Sequence, residues 1–96
     1  MTTFFISRHP GAIDWIKLQG LHIDRWESHL ALSDIASGDT VVGTLPIPMV
    51  AALAAIGATY LHLNVEVPAS LRGKELSVDT LTLLGASLQR YRVLAE

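Results

Sequence analysis

Apolar and polar residues follow one another along the chain in a pattern that predicts alternating strands and helices. The segments 3–7 and 40–44 are short, apolar and rich in β-branched or aromatic residues, which is typical of strands buried on both faces. In the segment 58–67 apolar residues alternate strictly with more polar ones, so we expect one face of this strand to be less deeply buried. The segment 21–29 alternates weakly and predicts a further strand.

Three helices are predicted between and after these strands. Residues 12–19 place apolar side chains on one face, and a glycine follows them. The segment 46–56 begins with two prolines, which a first helical turn accommodates because its N–H groups lack intrahelical partners. Gly57 is expected to cap that helix. A last helix is predicted over 77–92, with Ser77 as its N-cap.

This order, β-α-β-β-α-β-α, predicts one α/β domain over residues 1–96. Strands that alternate with helices and are themselves apolar imply a mostly parallel, four-stranded sheet with right-handed crossovers and helices on both faces. Ligands of such sheets bind beyond the carboxyl ends of the strands, near the point where the strand order reverses. The segments after strands 3–7, 40–44 and 58–67 should therefore meet at one edge and carry the chemistry.

The chain is apolar for its size. Half of its 96 residues are hydrophobic, and its mean hydropathy is +0.39. Either a helix is buried on all sides, or an apolar patch meets a partner. The Ala-rich, wholly apolar segment 49–56 suggests close packing on more than one side. A homodimer would satisfy both interpretations, and we expect one.

Charge and composition exclude several classes of function. The net charge of −2 argues against duplex nucleic acid as the main partner, because proteins that bind it carry a basic surplus. A small anionic ligand needs only a few local cations. The longest apolar run, 45–56, holds about a dozen residues, whereas a membrane span needs about 20. Residues 1–6 lack the pattern of a signal peptide and the chain has no cysteine, so we expect a cytoplasmic protein without a membrane partner.

The segment 7–11, Ser-Arg-His-Pro-Gly, is the sharpest chemical feature. Arg8 offers a planar fork for phosphate oxygens, and His9 belongs to the residue type that transfers protons near neutral pH. Ser7 could donate a further hydrogen bond. Gly11 lies where a helix opens, and the free N–H groups there attract anions. The alternative interpretation is that Arg8 is a solvated surface residue and that His9 merely caps a turn.

Three further segments carry candidate ligand-binding residues. Gly43 would allow close approach of the backbone, and the Thr44 hydroxyl could bind a phosphate, although both also suit a plain strand-to-helix turn. Arg72 and Lys74 flank a glycine and could form a phosphate clamp or simply be surface charge. Asn64 lies on the more polar face of the fourth strand, together with a histidine that is more often structural than functional.

Other sequence features are negative or structural. His22 and His29 lie on the weak second strand and are interpreted as structural. The histidines and acidic residues show no metal-ligand spacing, so no metal site is expected. The phosphate-binding motifs of ATPases and of dinucleotide-binding proteins are missing, and no cofactor is expected.

The segments 4–12, 38–46, 60–63 and 68–76 together resemble one group, the small CRISPR-associated proteins of the VVA1548 type found with type III systems. The resemblance covers nearly the whole chain. It implies a small Rossmann-like domain that acts as a homodimer. It also implies a stand-alone ring nuclease, which binds cyclic tetra-adenylate, the second messenger of type III defence, and cleaves it to end signalling.

The implied cleavage is metal-independent: a ribose 2′-OH attacks its adjacent phosphate and gives linear products that end in a 2′,3′-cyclic phosphate. On chemical grounds Arg8 and Lys74, helped by Arg72, would bind phosphate, and His9 would handle the proton. Ser7 and Thr44 would fix the geometry of the ligand. Two copies of the chain would supply six cations to the four phosphates of the ring.

Three other functions stay open at this point. The chain could bind or sequester the cyclic nucleotide without cutting it. It could instead join a larger complex through its apolar helix around 49–56. The third possibility, a phosphatase that uses His9 as nucleophile, fits poorly because Pro10 interrupts the Arg-His-Gly pattern and the chain is short.

Overall fold

The computed structural model describes residues 1–96 and contains five strands and three α-helices. Two further single turns of 3-10 helix interrupt the loops at Leu32–Asp34 and Ala69–Leu71. The elements in chain order are β1 (Thr3–Ile6), α1 (Pro10–Leu18), β2 (Arg25–Glu27), β3 (Thr40–Gly43), α2 (Ile47–Ile56), β4 (Thr59–Asn64), α3 (Val78–Leu83) and β5 (Ser87–Tyr91).

The strands form one sheet in the order β2-β1-β3-β4-β5. The first four are parallel, and β5 runs antiparallel to β4. Strand β1 therefore lies between β2 and β3, and the strand order reverses at the β1/β3 pair. In an open parallel sheet this is the position at which ligands bind beyond the carboxyl ends of the strands. The prediction of an α/β, mostly parallel, small Rossmann-like fold is confirmed.

The predictions of a four-stranded sheet and of a helix over 77–92 are wrong, because the second half of that segment forms a fifth strand. Helix α3 ends at Leu83, Gly85 adopts a left-handed φ of 75°, and the chain turns back as β5. The pairing aligns Leu63 with Leu88 and covers the outer edge of β4. An uncovered edge would leave a row of unpaired backbone groups, so the strand pairing outweighs the local helical pattern of these residues.

Helices cover both faces of the sheet, as predicted. One face packs beneath α1 and α3 through the buried residues Phe5, Val42, Leu63, Ala12, Trp15, Ile16, Ile23 and Leu81. The other face packs beneath α2 through Phe4, Ile6, Val41, Tyr60, Ile35, Val50 and Leu53. Alternate residues of β1 and β3 thus enter two separate cores, which is why these strands are apolar throughout.

Helix α2 is not buried on all sides within one chain. Only Val50 and Leu53 are buried, and Ile47 is 69% exposed. The interpretation that this wholly apolar helix packs on more than one side is therefore wrong for the single chain. The alternative, an apolar patch that meets a partner, stays a prediction. No helix in the structure is both long and apolar enough to cross a membrane.

A buried carboxylate ties the start of the sheet together. Asp39, which directly precedes β3, accepts hydrogen bonds from Thr2 N–H and Ala36 N–H, both at 2.9 Å. These two donors, first that of Ala36 and then that of Thr2, lower the pKa of Asp39 below its ordinary value of 3.8. The ionised carboxylate therefore fixes the loop before β3 against the amino end of β1.

Candidate functional site

Two adjacent cavities open at the carboxyl edge of the sheet. The first, of about 300 Å³, is lined mainly by hydrophobic side chains and is called the apolar cavity here. Its lining comprises Phe5, Ile6, Ala12, Leu63, Val65, Val67, Leu71, Leu76 and Leu81, together with Ser7, His9, Gly43, Thr44, Arg72, Gly73 and Lys74. The residues come from the ends of β1 and β3 and from the loop between β4 and α3, so the predicted meeting of these segments is confirmed.

The second cavity, of about 410 Å³, is called the polar cavity. It is lined by Ile6, Ser7, Arg8, His9, Ser28, His29, Leu30, Thr44, Leu45, Pro46 and Met49. Four residues, Ile6, Ser7, His9 and Thr44, line both cavities and form a shared wall between them. The apolar cavity lies on the side of α1 and α3, and the polar cavity on the side of α2.

The segment after β1 is held by backbone hydrogen bonds. Ser7 N–H donates to the Glu27 carbonyl oxygen at 3.0 Å and continues the pairing of β1 with β2. His9 N–H donates to Ser7 Oγ at 3.1 Å, which leaves the Ser7 hydroxyl proton available to a ligand. The His9 side chain makes no capping hydrogen bond to α1. The imidazole is thus exposed at the shared wall rather than engaged in the turn.

The segment after β3 is braced by a buried tyrosine. Tyr60 Oη accepts a hydrogen bond from Leu45 N–H at 2.9 Å and donates one to the Gly43 carbonyl oxygen at 3.0 Å. His62 Nδ1 lies 2.7 Å from Tyr60 Oη. Burial raises the pKa of Tyr60 above its ordinary value of 10.0, so the hydroxyl keeps its proton. The brace spans Thr44 and fixes its position at the shared wall.

A close approach between β1 and β3 requires Gly43. A Cβ at this position would lie 2.9 Å from the Ile6 carbonyl oxygen, so a side chain would push the two strand ends apart. The close backbone approach expected at Gly43 is therefore made to β1 of the same chain. Gly43 also lines the apolar cavity.

The loop between β4 and α3 brings two cations to the rim of the apolar cavity. Its turn closes through Lys74 N–H, which donates to the Leu71 carbonyl oxygen at 3.2 Å, and Gly73 adopts a left-handed φ of 79°. Arg72 and Lys74 are both exposed and have no acidic partner within the chain. Both line the apolar cavity only, whereas Arg8 lines the polar cavity only.

Two predicted ligand-binding residues lie outside both cavities. A Cβ on the buried Gly11 would clash with the Leu76 carbonyl oxygen, so Gly11 is a packing contact between α1 and the loop before α3. Asn64 Nδ2 donates to Tyr91 Oη at 3.2 Å, across to β5. Both positions are explained by contacts within the chain.

His29 is a candidate that the sequence analysis missed. Strand β2 ends at Glu27, so Ser28 and His29 emerge at the carboxyl edge and line the polar cavity beside Arg8. A signal was present, because a residue at the end of a parallel strand neighbouring β1 must lie near the end of β1. The interpretation of His29 as structural gave that position too little weight.

The charge distribution of the site is one-sided. Arg8, Arg72 and Lys74 line the two cavities, and no aspartate or glutamate lines either of them. Cations without neighbouring carboxylates attract anions, and all nine acidic residues of the chain lie outside the two cavities. No group of three histidine or acidic side chains lies close enough together to hold a metal ion.

Comparison with known proteins identifies the family. No curated protein and no solved structure matches the chain. The family model described as "Putative CRISPR-associated protein (Cas_VVA1548)" matches residues 4–94, which is nearly the whole chain and includes every residue that lines the two cavities. The resemblance seen in the sequence is thereby confirmed, and the chain belongs to the Cas_VVA1548 family of CRISPR-associated proteins.

Proposed function

We propose that the protein is a ring nuclease, which binds cyclic tetra-adenylate and cleaves it without a metal ion. One observation carries the proposal: three cations and no carboxylate line two adjoining cavities at the point where the strand order reverses. Membership of a CRISPR-associated family supplies the biological setting in which such a ligand occurs.

The two cavities match the two chemical parts of a nucleotide. The faces of a nucleobase are flat and apolar, and the apolar cavity would remove them from water. The size of that cavity, about 300 Å³, is at the lower end of the range for small-molecule sites. The sugar and phosphate would then lie at the shared wall and in the polar cavity, within reach of Arg8.

Cleavage by the ribose 2′-OH requires alignment more than it requires a strong catalyst. The 2′-oxygen, the phosphorus and the leaving 5′-oxygen must lie in line, and holding them so is itself a large contribution to the rate. The hydroxyls of Ser7 and Thr44 would orient the sugar-phosphate from the shared wall. Arg8 would stabilise the charge that builds on the phosphoryl oxygens, and His9 would accept the proton of the 2′-OH.

A homodimer completes the proposal. A cyclic tetranucleotide has a two-fold symmetry that an isologous dimer shares. Helix α2 exposes apolar side chains such as Ile47, and its first turn adjoins the polar cavity through Met49. Pairing through this helix would cover the apolar surface, and two copies would bring six cations to four phosphates.

The test is direct. Purified protein is incubated with cyclic tetra-adenylate in EDTA, and the products are separated by chromatography. We expect linear products that end in a 2′,3′-cyclic phosphate. Arg8→Ala should reduce binding and cleavage, whereas Arg92→Ala, an exposed position that lines neither cavity, should have little effect.

Two outcomes would contradict the proposal. Ligand that stays uncut at an excess of protein would show that the protein is not a nuclease for cyclic tetra-adenylate. If the ligand nevertheless bound, the function would be sequestration rather than cleavage. An Arg8→Ala variant that binds and cuts normally would show that the site lies elsewhere.

A further inference from the structure

The four histidines fall into two pairs with different surroundings. His22 Nε2 lies 2.8 Å from Asp24 Oδ1, and His62 Nδ1 lies 2.7 Å from Tyr60 Oη, so both rings are engaged within the chain. The rings of His9 and His29 take part in no hydrogen bond or ion pair with other residues. These two unengaged histidines both line the polar cavity, next to Arg8.

The backbone holds the two histidines in a fixed relation. The hydrogen bond from Ser7 N–H to the Glu27 carbonyl oxygen, at 3.0 Å, joins the ends of β1 and β2. His9 lies two residues after Ser7, and His29 lies two residues after Glu27. Both strands are parallel and leave the sheet at the same edge, so the two rings flank one cavity from neighbouring strand ends.

Attack by a 2′-OH on a phosphodiester involves two proton transfers. A base removes the proton of the 2′-OH, and an acid protonates the leaving 5′-oxygen. The proposed function assigns the first task to His9 and leaves the second without a residue. We infer that His29 is a catalytic residue, the general acid that protonates the leaving 5′-oxygen, an inference that rests on the proposed ring nuclease activity.

The layout of the cavities decides which histidine has which task. His9 lies on the shared wall, whereas His29 lines the polar cavity alone. A nucleobase in the apolar cavity places its own ribose at the shared wall, which brings the attacking 2′-OH to His9. The leaving 5′-oxygen belongs to the next nucleoside, which extends into the polar cavity toward His29.

The proposed step conserves atoms and protons. The bond between the 2′-oxygen and phosphorus forms while the bond between phosphorus and the 5′-oxygen breaks. Neutral His9 takes the proton of the 2′-OH, and protonated His29 gives its proton to the 5′-oxygen. The products are a 2′,3′-cyclic phosphate and a 5′-OH, and exchange with water restores both imidazoles. The reaction needs no oxidant, reductant or co-reactant.

A sulfur substitution separates acid catalysis from every other role. The substrate is cyclic tetra-adenylate, used either in its natural form or with sulfur in place of each bridging 5′-oxygen. A thiolate leaves without protonation, so a variant that lacks only the acid should recover on the sulfur ligand. The proteins compared are the wild type, His29→Ala, His29→Gln, His9→Ala and His22→Ala. His22 is the matched control, because it is exposed and lines neither cavity.

We expect both His29 variants to cut the natural ligand about 10²–10⁴-fold more slowly than the wild type. On the sulfur ligand they should approach the wild-type rate, whereas His9→Ala should stay slow on both. His22→Ala should cut both ligands as the wild type does. His29→Gln preserves the size and polarity of the side chain and guards against a loss of folding in the alanine variant.

Several results would overturn the inference. If His29→Ala and His29→Gln cut the natural ligand as fast as His22→Ala, the residue takes no part in the reaction. If both variants are equally slow on the two ligands, His29 acts through binding or shape rather than as an acid. If the wild type itself cuts neither ligand, the proposed function fails, and the role of His29 falls with it.

Discussion

The hydroxyl of Tyr60 fixes the backbone on both sides of Thr44, and its removal should measurably lower the stability of the fold. Tyr60 is 3% exposed, and its oxygen serves both Leu45 N–H and the Gly43 carbonyl oxygen. Tyr60→Phe keeps the ring within the core beneath α2 but leaves both backbone groups without their partner. His62 also loses the oxygen that lies 2.7 Å from its Nδ1.

The magnitude follows from the groups left unpaired. A buried donor or acceptor without a partner costs about 1–3 kcal/mol. Here the hydrogen bond to Gly43 is buried and the one from Leu45 is partly buried. We therefore expect Tyr60→Phe to lower the free energy of unfolding by about 2 kcal/mol. In a domain of this size each kcal/mol shifts Tm by roughly 4–8 °C, so the expected loss is roughly 8–16 °C.

Chemical and thermal denaturation of the wild type and variants provide the measurement. Tyr91→Phe is the matched control, since Tyr91 is 47% exposed and its hydroxyl accepts one hydrogen bond from Asn64 at the surface. The free energy of unfolding of Tyr91→Phe should lie within about 0.5 kcal/mol of the wild-type value. Equal losses of stability in Tyr60→Phe and Tyr91→Phe would refute the stabilising role of the Tyr60 hydroxyl. Tyr60→Phe should also weaken ligand binding, because Thr44 is then held less firmly.

Alkaline pH gives a second readout of the same hydroxyl. Because burial raises the pKa of Tyr60 in the fold, the protonated form is favoured there relative to the unfolded chain. Its contribution to stability is complete below the ordinary value of 10.0 and is lost as the pH rises through the raised pKa. Tyr60→Phe should therefore reduce the fall in stability above pH 10, measured by urea denaturation.

Three further predictions concern other parts of the chain. Asp39→Asn should lower the urea midpoint at pH 7, because an amide accepts at one oxygen only, whereas both carboxylate oxygens of Asp39 accept a hydrogen bond. The difference from wild type should narrow as the pH falls below 3.8, since the pKa of the carboxyl is lowered in the fold and its contribution to stability is lost when it is protonated. Gly11→Ala should destabilise the fold by about 1–3 kcal/mol or more in calorimetry, because its Cβ meets the Leu76 carbonyl oxygen, and Asp14→Ala on the exposed side of α1 should not. Arg72→Ala should weaken binding of cyclic tetra-adenylate and flatten its salt dependence in titration, with an unchanged slope arguing against a phosphate contact.

Much of the fold could be predicted because it depends on local composition. The segments 3–7 and 40–44 are apolar on both faces, and they form two adjacent interior strands of a sheet covered on both sides. The end of the chain could not be predicted in the same way. Residues 87–91 gain their strand pairing from β4, which is distant in sequence, and only Gly85 hints locally that the helix ends early.

The candidate site was predictable as a place more than as a set of contacts. Parallel strands deliver their carboxyl ends to one edge, so the grouping of Ser7, Thr44 and Lys74 follows from topology. The packing of Gly11 against Leu76 depends on how two distant segments approach each other. The bond from Asn64 to β5 required a strand that the sequence pattern did not reveal.

The connections of the sheet explain why the site has two cavities rather than one. Strand β1 continues into α1 on one face, and β3 continues into α2 on the other, so the strand ends stand between two openings. A ligand that fills both must cross over these ends, where Ser7, His9 and Thr44 form the shared wall. The bond that is processed should therefore lie at the wall, with Arg8 on one side of it and the cations of the loop between β4 and α3 on the other. Substitutions on the two sides should accordingly be separable: loss of Arg8 should slow cleavage at the reacting phosphate, and loss of Lys74 should weaken binding of the phosphate on the other side of the wall.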